Sequence, residues 1–181
     1  MTGPPDGDAA PTPRAGLAER QAELVAALVA GGKPPAGFAP GPLAATRAAL
    51  LRKRAGEVAR HWPLLAAGLG PGWSTTFADW AARRPTAGSL RDGWDLAREL
   101  HDKQALPPVA ADELAVREAR LRYDGLRAPR PRRAPAVGRA GGAVAVQIAG
   151  RVRLLRPAPR VSDLAGDAVA DAARSESWTS D

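Results

Sequence analysis

The spacing of apolar residues predicts a series of short amphipathic helices through the first two thirds of the chain. In the range 17–29, Leu17, Leu24 and Leu28 recur on one helical face. The Gly/Pro-rich range 31–42 that follows predicts a loop, and a second helix is expected after it.

Two arginines fall within the apolar stripe of this second helix. Leu43, Leu50 and Val58 mark the stripe, and at 100° per residue Arg47 and Arg54 lie between them. An arginine in such a place needs a partner or a route to water. The stems are therefore expected to pack, with each guanidinium group either reaching solvent or pairing with a carboxylate.

Aromatic residues are concentrated between residues 61 and 123. Trp73, Phe77 and Trp80 are spaced i, i+4, i+7 and share one face of a short helix. Aromatic faces of this kind are far more often core than ligand platforms. The predicted aromatic core consists of Trp62, Trp73, Phe77, Trp80, Trp94 and Tyr123.

Two further helix starts are visible in the sequence. Ser89, with Asp92 three residues later, indicates a capping box. The pair Pro107-Pro108 then starts a last helix, 108–126. Its apolar residues lie on two opposite sides, so we expect it to be clamped between two layers.

Glu118 lies close to one apolar stripe of this last helix. It is the candidate partner for Arg47 or Arg54, and the three residues are predicted to form a structural polar core.

The composition changes after residue 126. The range 127–142 is rich in Arg and Pro, while AVAVQIAG and RVRLL predict two short strands. The predicted fold is mainly α: a compact helical bundle of about five to six helices, followed by a short two-stranded β ribbon and disordered tails. The predicted divisions are a disordered N-terminus 1–14, a helical domain 15–126, a linker 127–142, a ribbon 143–156 and a flexible acidic tail 157–181.

The net charge of +7 is unevenly placed. The range 127–160 holds nine arginines and no acidic residue, whereas the rest of the chain has 17 basic and 19 acidic residues. The sequence after residue 160 carries five acidic residues against one arginine. We hypothesise that the basic arm and the acidic tail associate when no partner is bound.

The sequence offers little for catalysis. It has no cysteine and two histidines, and its Gly pairs and serines match neither a phosphate-binding loop nor a nucleophile elbow. We therefore expect no enzymatic activity, cofactor or metal. No segment has the ~20 apolar residues of a membrane span, and the N-terminus is not typical of a signal peptide, so a cytoplasmic location is expected.

The basic arm is the strongest binding signal. Arg151 and Arg153 alternate with apolar residues and share one ribbon face, and with Arg156 they are the predicted peptide- or partner-binding residues. Three interpretations stay open: contact with an acidic protein or peptide, contact with nucleic-acid phosphates, or a solvated charged linker.

The range 17–123 resembles a family of bacterial proteins, the HvfC/BufC type, and most closely its compact actinobacterial branch. That family has an Arg-bearing helix ending in an aromatic-Pro pair, matched by Arg47 and Trp62-Pro63, although the Tyr usual before the arginine is Thr46 here. The other matching elements are Leu69-Gly70, the spaced aromatics Trp73, Phe77 and Trp80, the Ser89-Leu90 step with Trp94, and Leu114-Ala115 with Glu118.

The resemblance implies a helical accessory protein. Such proteins are encoded beside multinuclear non-haem iron-dependent oxidases (MNIO enzymes), which modify ribosomally made precursor peptides. The implied function is a non-catalytic subunit that binds an MNIO-type oxidase and recruits its precursor peptide. The alternative, which the family's label as a DNA-binding domain suggests, is a DNA-binding or regulatory protein that uses the basic segment 127–160.

Overall fold

The computed structural model describes residues 13–156, with side chains from residue 16 onward. Six α-helices make up most of it, and the first, second, third and sixth begin at a proline. Proline suits this position because its fixed φ is already helical and its missing N–H would be unpaired there. The helices are α1 (Pro13–Ala30), α2 (Pro40–His61), α3 (Pro63–Leu69), α4 (Trp73–Ala81), α5 (Ser89–Asp102) and α6 (Pro108–Arg120), with a 3₁₀ turn (Gly70–Gly72) before α4.

Two small antiparallel sheets follow the helices. The first pairs β1 (Leu121–Arg122) with β2 (Arg130–Pro131), and the second contains β3 (Ala136–Ala140), β4 (Ala143–Ile148) and β5 (Arg151–Leu155) in that order. Two-residue turns, Gly141-Gly142 and Ala149-Gly150, join these three strands. Both residues of each turn have positive φ, as type I′ hairpins require.

The predicted fold class, helices followed by a short antiparallel β region, is confirmed. The strand region is larger than a two-stranded ribbon, because β3 comes from the range 127–142 that was expected to be a linker. The arginines and prolines of this range obscured the inward–outward alternation of β3. Gly138 and Ala140 point inward and are buried, while Val137 and Arg139 point outward.

The last helix is shorter than predicted: it ends at Arg120, not at residue 126. The chain becomes extended at Leu121, where φ is −126°, and enters β1. The side chain of Arg132 holds this end, because its Nε donates to the carbonyl oxygens of Glu118 and Leu121.

The aromatic residues lie where helices α2 to α6 meet. Trp62, Phe77 and Trp94 are completely buried, and Trp73 and Tyr123 are nearly so. The Trp62 and Trp94 rings meet edge to face, with centroids 5.8 Å apart. Trp80 is half-buried and its ring Nε1 donates to Glu99.

Helix α6 lies between two layers, as its two-sided apolar pattern predicted. It packs against α3 and α5 on one side and against all three strands of the larger sheet on the other. The sheet approaches so closely that a Cβ atom at Gly138 would overlap the carbonyl oxygen of Ala115. This close packing fixes the position of β5 relative to α6.

Two predicted segments fall mostly or wholly outside the described residues. Within the N-terminal range 1–14, only Pro13 and Arg14 are described, and they begin α1 instead of lying in a disordered segment. The predicted acidic tail 157–181 lies outside entirely. Among the helices of residues 13–156, none is both long enough and apolar enough to cross a membrane.

Candidate functional site

The arginines on the α2 stripe bind acceptors in the α4–α5 loop and in the first turn of α5. Arg54 pairs with Asp92 at 2.8 Å and also donates to the carbonyl oxygens of Arg84 and Pro85. Arg47 donates to the carbonyl oxygen of Ala82. Both arginines therefore hold the loop against α2, a structural role.

Asp92 does not form the predicted capping box with Ser89. The N-cap of α5 is Gly88, with φ of 100°, and no side chain caps it. The Asp92 carboxylate points back into the loop, where it accepts from the backbone N–H of Ala87 and the hydroxyl of Thr86. Asp92 is 1% exposed, and these contacts together with Arg54 satisfy its charge.

Glu118 was expected to pair with Arg47 or Arg54, but its partners lie on α5. It accepts from the ring Nε1 of Trp94 at 2.7 Å and from Nε of Arg98 at 2.8 Å. Because α5 packs against both α2 and α6, it lies between the Arg47/Arg54 stripe and Glu118.

Two other ionisable groups complete the internal polar network. The Tyr123 hydroxyl donates to Asp95 at 3.0 Å. Burial raises the pKa of Tyr123 to about 12, and the hydrogen bond to Asp95 acts in the same direction. Burial also raises the pKa of the Asp95 carboxyl.

A second buried acid, Glu113, holds helix α3. It accepts from the first free backbone N–H groups of that helix, those of Leu64 and Leu65, at 3.0 and 2.9 Å. Its other oxygen binds Arg117, whose guanidinium lies 4.1 Å from the Trp62 ring centroid. Like the Arg54–Asp92 pair, this cluster joins elements of the fold. Across residues 13–156 there is no group of three or more side chains placed to bind a metal ion.

The outer face of the larger sheet is both basic and apolar. The strand register places Arg153, Val146 and Val137 side by side across it. The same face carries Arg139, Arg151, Val144, Ile148 and Leu155. No side chain of this face is acidic, and its arginines form no salt bridge to any carboxylate of the described chain.

One edge of this sheet, the outer edge of β5, is open in the described chain. The two-residue turn makes Ile148 and Arg151 a hydrogen-bonded pair, so the backbone groups of Arg151 and Arg153 face β4. By the same alternation, the N–H and C=O groups of Val152 and Leu154 face away from the sheet. Within residues 13–156 no backbone hydrogen bond outside the ladder reaches them.

A groove of about 630 Å³ runs between α3, α6 and β5. Its apolar surface comes from Leu64, Val116, Leu121 and Leu154. Two acids also line the groove, and both are paired: Asp112 with Arg156 and Glu113 with Arg117.

The predicted binding residues are not all together. Arg151 and Arg153 lie on the outer face with Arg139, whereas Arg156 turns into the groove and pairs with Asp112. The apolar residues of the groove and Arg139 were missed as site residues by sequence reasoning. The alternation in β3 could have shown that Arg139 points outward, but its place on the same face as the other two arginines depends on the strand register.

The fold and this surface define a helical domain with an appended antiparallel sheet whose free edge lies between a basic face and an apolar groove. Residues 18–102, from α1 to the end of α5, match the family model described as SCO6045-like, C-terminal domain. Helix α6 and both sheets lie outside that match. The description states no activity, and the match does not name the HvfC/BufC type, so membership in the HvfC/BufC family stays a prediction. No curated protein and no solved structure matches the chain.

Proposed function

We propose that the chain is a non-catalytic accessory subunit that binds an extended acidic peptide at the free edge of β5. Following the sequence resemblance, the peptide is the leader of a ribosomal precursor and the enzyme is an MNIO-type oxidase, which supplies the iron and the chemistry. The observation that carries the proposal is a strand edge with no pairing partner in residues 13–156, bordered on one side by arginines and on the other by an apolar groove.

The edge provides affinity through the backbone. An added strand would pair with the outward N–H and C=O groups of Val152 and Leu154. These groups need no particular side chain from the peptide, so different precursors with the same charge pattern would fit.

The two flanking surfaces provide selectivity. Side chains of an added strand alternate between faces, so every second residue lies beside Arg151 and Arg153 and the others face the groove. A matching peptide has acidic residues at the first set of positions and apolar residues at the second. Carboxylates gain bidentate, charge-assisted hydrogen bonds from arginine.

The helical body is the proposed docking surface for the oxidase. Outside the basic segment the chain is nearly neutral, with 17 basic and 19 acidic residues, which suits a protein interface better than a nucleic-acid surface. Apolar side chains of α1 and α2 are available there, since Leu17 and Val25 are each 58% exposed and Leu50 is 42% exposed.

The subunit assignment is tested by co-expressing the chain with an MNIO-type oxidase and its precursor. Size-exclusion chromatography with light scattering should show a complex of oxidase and chain. Separate elution of the two proteins, with and without the precursor, would reject the assignment.

The strand-addition mode is tested with Val152→Pro, because proline removes one outward N–H and is tolerated on a strand edge. Val152→Ala is the matched control, since it loses packing but keeps the N–H. We expect precursor affinity to fall about tenfold in the proline variant and much less in the alanine variant. Equal losses in both variants would point to packing and contradict strand addition.

A further inference from the structure

A second basic site lies at the opposite end of α6 from Arg156, around the β1–β2 pair. Arg122, Arg127 and Arg130 line a hollow of about 220 Å³, together with Asp124 and Ala128. It shares no lining residue with the groove beside β5.

The arginines of this hollow are held close together at a cost. Arg122 and Arg130 are direct cross-strand partners, so their side chains project from the same face of the β1–β2 pair. Like charges in that position destabilise a strand pair. Neither they nor Arg127 form a salt bridge to a carboxylate within residues 13–156.

The loop that joins the two strands is fixed by its own contacts. Asp124 accepts from the backbone N–H groups of Leu126 and Arg127 at 3.0 and 2.8 Å. Arg91 of α5 donates to the carbonyl oxygen of Leu126. The hollow is therefore set before any ligand arrives, which lowers the cost of binding.

The net charge of the lining identifies the ligand class. Hydrogen bonds from the backbone N–H groups of Arg127 and Leu126 lower the pKa of Asp124, which keeps it ionised. Three arginines and one carboxylate leave an excess of two positive charges in the hollow.

We propose that this hollow binds the dianion of a phosphate monoester. Arg122 and Arg130, which project from the same face, can each donate two hydrogen bonds to its oxygens, and its two negative charges balance the lining. A phosphodiester of nucleic acid carries one negative charge per phosphate. It would balance only one of the two excess positive charges in the hollow. This site is independent of the peptide edge, so either proposal can fail without the other.

The test is a titration of the full chain with inorganic phosphate at fixed ionic strength. Binding is measured through the chemical shifts of the backbone amides. We expect saturable shifts confined to residues 122–130, weaker binding of dimethyl phosphate, and binding of a mononucleotide with a terminal phosphate. A short DNA duplex without terminal phosphates should leave these shifts smaller than the mononucleotide does.

Arg122→Gln with Arg130→Gln is the test variant, and Arg151→Gln with Arg153→Gln is its control with the same loss of charge. None of the four side chains makes a side-chain hydrogen bond within the described range, so both variants should fold. Phosphate affinity should fall about tenfold in the first and less than about twofold in the second. Equal losses in both variants, unsaturable shifts, or dimethyl phosphate binding as tightly as phosphate would each overturn the proposal.

Discussion

Glu118 links three elements of the fold through one carboxylate. It lies on α6, binds the Trp94 ring N–H and Arg98 of α5, and Arg98 in turn donates to the carbonyl oxygen of Tyr123 beyond α6. Trp94 is completely buried, so its N–H has no route to water. Removing this carboxylate leaves the buried Trp94 N–H without an acceptor and the partly buried Arg98 without its ion-pair partner.

Replacing Glu118 should therefore lower stability without affecting peptide binding. We expect Glu118→Ala to reduce the free energy of unfolding by about 2–3 kcal/mol. Glu118→Gln keeps an acceptor for Trp94 and should lose less. Urea unfolding followed by tryptophan fluorescence measures both, and an alanine variant as stable as the parent would contradict this role.

Tyr123 gives a pH-dependent signal that is easily isolated, because it is the only tyrosine of the chain. Burial raises its pKa in the folded protein to about 12, from an ordinary value of about 10. A raised pKa means that folding favours the neutral hydroxyl of Tyr123. The stabilisation that Tyr123 contributes is therefore complete below pH 10 and is lost as the pH rises through about 12.

Ultraviolet absorbance of tyrosinate measures this pKa directly. The folded chain should titrate near 12 and the chain in denaturant near 10. Above pH 10 the stability of the parent should fall relative to Tyr123→Phe. Coincident titration curves in the folded and unfolded chains would show that Tyr123 is not held by burial and Asp95.

At the residue scale, the sequence predicted which side chains are buried better than it predicted which charged side chains pair with each other. The spacing of Trp73 and Phe77 identifies a buried face because burial repeats with the helical period. The partners of Arg54 and Glu118 could not be read in this way. They depend on α5 lying between α2 and α6, which is set by tertiary packing.

At the element scale, the close contact between α6 and β3 determines where the sheet lies. Gly138 is the contact point, and the facing helix side is made of small residues, Ala111, Ala115 and Ala119. The hairpin signals of β4 and β5 are visible in the sequence, as alternating residues around Ala149-Gly150. Strand β3 was hidden because its inward residues are small and its surroundings are rich in Arg and Pro.

A methyl group at Gly138 should separate the sheet from α6. Gly138→Ala is expected to cost at least about 2 kcal/mol, because the obstructing atoms are backbone and cannot rotate away. Gly56→Ala in α2 is the control, since nothing lies within 4 Å of its added methyl group. It should stabilise the helix by up to about 1 kcal/mol. Thermal unfolding measures the stability of both variants. A Gly138→Ala variant as stable as the parent would contradict the close contact between β3 and α6.

At the scale of the whole molecule, charge and structure divide the chain in the same way. The helices carry a nearly balanced charge, while four arginines of the range 127–160, namely Arg130, Arg139, Arg151 and Arg153, lie on strands. The sequence showed that the excess positive charge lies in the range 127–160. It could not show that Arg139, Arg151 and Arg153 form one outer face while Arg156 lies elsewhere, because that depends on strand register.

The acidic tail gives a prediction at this scale. If residues 161–181 compete with an acidic peptide for the arginines, their removal should raise precursor affinity several-fold at low salt. The gain should shrink as salt screens the charges. Fluorescence anisotropy of a labelled precursor measures both effects, and unchanged affinity after truncation would count against competition by the tail.

Amide hydrogen exchange of the chain with and without the precursor peptide tests most directly whether the outer edge of β5 pairs with the peptide. Strand addition predicts that the amide protons of Val152 and Leu154 exchange quickly in the free chain and become protected on binding. The amides of Arg151 and Arg153, already bonded to β4, should change less. Binding of the precursor without new protection at Val152 and Leu154 would contradict the proposed mode of recognition.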